Sequence, residues 1–112
     1  MANEGKSGGE GASLTTPLEP FTVNLTSADR YLQVSVTLQV AQPDVTEKIK
    51  LFMPRVRHAM IMLLSDKESS QIQSAEGKHE LIDEIKERIN KVLGLKEHDG
   101  ITDVYFVNFV IQ

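Results

Sequence analysis

Residues 104–112 form one unbroken β-type run, and this run limits the folds open to the chain. Tyr105, Val107, Phe109 and Ile111 are all apolar. The alternate set, Val104, Phe106, Asn108 and Val110, is apolar except at Asn108. Successive side chains of a strand point to opposite faces, and a strand apolar on both is usually buried on both. A chain of 112 residues supplies one core and little more. The run therefore predicts a surface shared with another molecule, which suits an assembly module better than a catalyst.

Residues 1–16 are mostly Gly, Ser, Glu and Thr. Such a segment buries too little apolar area to offset its ordering entropy, so it reads as a flexible linker ahead of a domain at 17–112. Phe21, Val23 and Leu25 alternate with Thr22, Asn24 and Thr26. Ser27-Ala-Asp-Arg30 supplies a turn. Leu32, Val34, Val36, Leu38 and Val40 then alternate with Tyr31, Gln33, Ser35, Thr37 and Gln39, the clearest strand in the chain. Asp44 and Glu47 have capping-box spacing. After them Val45, Ile49, Phe52, Val56, Ala59 and Leu63 mark one helical face. Pro54 either bends this helix or ends one helix and starts another. A short turn through Ile72 leads to a second helix over 77–93, with Leu81, Ile82, Ile85, Ile89, Val92 and Leu93 on one side and Gly94 as its stop. The expected fold is α+β: a small three-stranded sheet with two main helices packed on one face.

Composition excludes several kinds of chemistry. There is no cysteine, hence no disulfide or thiolate. The net charge of −4 disfavours nucleic acid. No apolar run approaches the roughly 20 residues that span a bilayer, and Met1-Ala-Asn-Glu lacks the basic start of a secretion signal. Phosphate-loop and nucleophile-elbow motifs are absent. His58, His79 and His98 are too far apart in sequence for a helical ligand pair, and Asp66, Glu68, Asp83, Glu84 and Glu87 read as solvated. No catalytic, cofactor-binding or metal residue is expected. Met53, Met60 and Met62 suit a core at helical spacing, or an adaptable contact surface.

Leu18-Glu-Pro-Phe-Thr-Val-Asn-Leu25, Arg30-Tyr-Leu32, Met53-Pro-Arg-Val-Arg57, Leu63-Leu-Ser65, Glu76-Gly-Lys78, Ile89-Asn90, Val104-Tyr-Phe106 and Phe109-Val-Ile-Gln112 follow one another in this order. Together these segments resemble the periplasmic domain of the flagellar basal body-associated FliL family. The resemblance covers residues 17 to 112. It implies a fold similar to the ring-forming stomatin/prohibitin (SPFH) type and no enzyme activity or cofactor. It implies a single-pass inner-membrane protein with this domain in the periplasm, anchored by an N-terminal membrane helix that this chain lacks. Residues 1–16 would then be a membrane-proximal linker of a truncated protein. Its implied partners are further copies of itself, in a ring, and the flagellar stator, the ion-driven torque-generating complex.

Arg57 is the expected contact residue on the first helix. Val104, Phe106 and Val110 are the expected contact strip on the terminal strand, on the side away from the core. The rival reading is a small periplasmic ligand- or ion-sensing domain that uses Arg55, Arg57 and the histidines.

Overall fold

The computed structural model describes residues 14–27 and 29–112. Most of the expected linker, residues 1–13, lies outside them. The strands are β1 (Thr15–Pro17), β2 (Phe21–Asn24), β3 (Tyr31–Val40) and β4 (Ile101–Ile111). The helices are α1 (Pro43–Leu51), α2 (Met53–Ser65), α3 (Ser69–Gln73) and α4 (Ala75–Leu93). The chain is α+β, with helices packed on one face of an antiparallel sheet.

β3 is the central strand. Its even-numbered residues are buried and form the floor of the core. On one side it pairs with β4. On the other it pairs with β1 and β2, which lie end to end. The sheet thus has four strands rather than the expected three, because one edge strand is broken between Pro17 and Pro20. Proline cannot donate to a ladder and is tolerated at edges. The Leu18 N–H still reaches Val36 O at 2.9 Å, so the break remains seated on β3. Thr15 and Thr16, expected in the linker, belong to β1. Thr16 is buried, and its hydroxyl lies 2.6 Å from that of Thr46 in α1.

The expected first helix is two helices. α1 starts at the N-cap Gln42 with Pro43 in its first turn. Asp44 sits inside that turn, where its charge suits the helix dipole, and no side chain caps this end. The capping-box expectation at Asp44 and Glu47 is therefore corrected. Phe52 (φ −102°, ψ 19°) is the joint, and N–H groups at this cap close on the carbonyls of Lys48 and Lys50. Pro54 falls in the first turn of α2, where a helix needs no donor. It begins a helix; it does not bend one.

α4 carries the longest apolar face, with Leu81, Ile85, Ile89 and Leu93 buried. It begins two residues earlier than expected, because the Ser74 hydroxyl accepts the Gly77 N–H at 3.0 Å. Gly94 ends it in the left-handed region at φ 69°. α2 packs against β2 and α4, and α4 against β4. One edge of the sheet therefore lies beneath α2 and the other beneath α4.

Candidate interaction surfaces

Among the described residues, no group of three His, Cys, Asp or Glu side chains is placed to hold a metal. A cavity of about 740 Å³ is lined by Asp83, Glu87, Asn90, Lys91, Leu95 and Glu97. Neither arginine of the 55–58 cluster and none of the three histidines borders it. The grouping required by the sensing reading does not form around this cavity.

Arg57 is occupied within the chain. Its guanidinium lies 4.1 Å from the Phe21 ring centroid. Nη1 donates to Glu19 O at 2.8 Å and Nη2 to Pro20 O at 3.1 Å. The arginine thus ties α2 to the break between β1 and β2. A planar, forked cation on an aromatic face is well suited to this. Arg57 thus acts as an intrachain clamp, with Nη1 and Nη2 each engaged by one backbone carbonyl. Arg55 is exposed, with its guanidinium 5.5 Å from the Phe52 centroid.

The terminal strand also departs from expectation. Its register against β3 shifts between Ser35 and Val36 and between Gln39 and Val40. Val107 and Thr102 are the extra residues, so each shift is a β-bulge that reverses the parity of the strand. As a result Val104 and Phe106 share the core face with Phe109 and Ile111, although the two pairs belong to opposite alternation sets. Val104 is 1% exposed and packed in the core, and Phe106 is half-buried against it. Neither lies on the outer strip where the alternation placed them. Of that expected strip only Val110 faces outward, opposite Gln33.

Two exposed apolar areas result. Tyr105, Val107 and Val110 are exposed along β4, with Val107 at 70%. Leu51, 74% exposed, stands at the end of α1, and Ile61 and Met62 are exposed on α2. Ile61 lies one turn beyond Arg57, on the flank of α2 that looks to the β1–β2 edge. Ile61 therefore lies towards the β1–β2 edge, across β3 from β4. α2 contains Arg55, Arg57 and His58 and no acidic residue.

Sequence reasoning missed Asn90. It is buried, and its amide grips the first residue of β4: Ile101 N–H donates to Oδ1 at 2.6 Å, and Nδ2 donates to Ile101 O at 3.1 Å. The side chain takes the place of a neighbouring strand. Gly100 permits this approach, since a methyl group there would land on Asn90 Oδ1. The resemblance carried Ile89-Asn90, but an asparagine on an amphipathic helix gives no sign of burial by itself.

The family model for flagellar basal body-associated protein FliL matches residues 15–112. Flagellar protein FliL of Aquifex aeolicus is 38% identical over 95 residues, which is 83% of this chain and 57% of that protein. Flagellar protein FliL of Escherichia coli K12 is 33% identical over 97 residues, covering 85% of this chain and 62% of the relative. The protein of the same name from Bacillus subtilis is 28% identical over 95 residues, covering 85% and 65% respectively. The chain thus spans about three fifths of the length of these relatives.

Proposed function

Because the chain belongs to the FliL family of flagellar basal body-associated proteins, we propose that it self-associates and holds the flagellar stator in its active arrangement, without enzymatic activity. The family match over residues 15–112 carries this reading. Exposed apolar residues support the self-association: Leu51, Ile61 and Met62 on the helices, and Tyr105, Val107 and Val110 on β4. Two different surfaces, one on the helices and one on β4, suit a head-to-tail contact, which closes into a ring when the rotation permits. The domain sits on the periplasmic side, held by a membrane helix outside these residues. Among the described residues no helix is long and apolar enough to cross a membrane.

The test is made in cells with the full-length protein. Solubilised from membranes, it carries stator subunits with it. Cysteines placed at Met62 and Val107 crosslink neighbouring copies. Recovery without stator subunits at native expression refutes the stator contact, and a purely monomeric crosslinking pattern refutes the self-association.

A further inference from the structure

In an antiparallel ladder, the backbone groups of alternate residues point to one neighbour or the other. Tyr31 exchanges both of its bonds with Gln112, each at 2.9 Å. Val36 O and Val40 N–H instead bond Leu18 and Leu14 on the β1 side. Odd-numbered residues of β3 therefore serve β4, and even-numbered ones serve β1 and β2. Through the register, Ile101, Val104, Phe106, Phe109 and Ile111 of β4 turn their N–H and C=O groups to the free edge. Two of these positions are capped. Asn90 closes both groups of Ile101, and Asp103 Oδ1 accepts the Val104 N–H at 2.8 Å. Among the described residues, no side chain caps Phe106, Phe109 or Ile111. The edge is blocked over its first half and open over its second.

The open half lacks the usual defences of an edge strand. Residues 104–112 contain neither lysine nor proline and carry no charged side chain. The half-buried rings of Phe106 and Phe109 are 5.2 Å apart, and Ile111 is half-buried on the same face. Among the described residues, the cation over this face is the Lys78 ammonium of α4, whose Nζ lies 4.6 Å from the Phe109 centroid and gives one of its three donors to Gln73 O at 2.8 Å.

We propose that the edge of β4 over residues 106–111 receives an extended segment of another polypeptide, which adds as a strand, covers Phe106 and Phe109 with alternating apolar side chains, and sets a carboxylate against Lys78. Main-chain bonds supply affinity in such strand addition, and the alternate side chains supply selectivity. A second copy of this chain fits less well. Pairing β4 on β4 about a two-fold axis brings two Lys78 ammonium groups to one seam, where like charges repel. The site rests on β4 and Lys78 and stands or falls apart from the motor reading.

The experiment uses the whole chain, isotope-labelled for NMR, with synthetic peptides of about ten residues, long enough for one strand. They alternate valine and threonine and carry one central aspartate or one central lysine. The aspartate peptide binds saturably and protects the amides of Phe106, Phe109 and Ile111 from exchange, leaving Ile101 and Val104 unchanged. It binds about fivefold more tightly than the lysine peptide, the span of one exposed charge pair. Lys78→Glu inverts that order, and backbone N-methylation of the peptide abolishes binding. Shifts confined to other surfaces, or no binding at all, overturn the proposal. Protection of the same amides without peptide, rising with protein concentration, overturns the choice of partner in favour of a second copy. If Lys78→Glu does not fold, the ranking of the two peptides on the unaltered chain decides.

Discussion

Replacing Asn90 tests whether its side chain closes the start of β4. Ile101 is fully buried, so losing the amide leaves one N–H and one C=O without partners. Each unsatisfied buried group costs about 1–3 kcal/mol. Asn90→Leu keeps the branched shape, fills the site and excludes water, so its cost is about 3–5 kcal/mol. Asn90→Ala leaves room for a water from the adjoining cavity and costs less, about 2–3 kcal/mol. For a domain of this size that lowers Tm by about 10–20 °C. Gly100→Ala acts on the same contact from the other side, because its methyl displaces Asn90 Oδ1. In an Asn90→Ala background that clash is gone, so the two substitutions fall short of additivity by about 1 kcal/mol or more. Urea denaturation monitored by circular dichroism measures all three variants and the double mutant. An Asn90→Leu protein within about 1 kcal/mol of the original, or full additivity with Gly100→Ala, refutes the clamp.

Arg57→Glu removes two bonds to backbone carbonyls and the cation over Phe21, and lowers stability by about 2 kcal/mol; an unchanged urea midpoint shows that the clamp carries no energy. Pro54→Ala alters stability by less than about 1 kcal/mol and leaves the far-ultraviolet spectrum unchanged, because a first-turn proline has no helical bond to restore. Gly94→Ala meets no atom within 4 Å, so its cost is conformational, about 1–2 kcal/mol for a left-handed position, read from the same denaturation curves.

Burial periodicity made most of the fold legible. The alternation of β3, the apolar face of α4 and the glycine stop at Gly94 all depend on near neighbours in sequence, and all three are present. The double character of Pro54 was also legible, but the choice lay in the backbone angles of Phe52, which composition does not encode. The faces of β4 were not legible. Alternation assumes an uninterrupted pleat, and one extra residue at Val107 carries Phe106 inward with Phe109. Arg57 and Asn90 read as ordinary helix-surface residues because their partners are backbone atoms: the carbonyls of Glu19 and Pro20, and the peptide groups of Ile101. Such acceptors and donors occur at every position, so no side-chain pattern singles them out.

Because the edge strand is broken, tension does not travel along it as a unit. A pull on the chain at Leu14 loads β1 first, a three-residue strand aided by the Leu14–Val40 bond and the Thr16–Thr46 contact. These bonds give way in succession, as in a zip, rather than together. The peeling front then meets Leu18, bound to Val36, and the carbonyls of Glu19 and Pro20 in the grip of Arg57. Phe21 and Val23 behind them remain seated in the core. The N-terminal stretch can thus lengthen under load by giving up β1 alone, while β2, β3 and β4 keep their register.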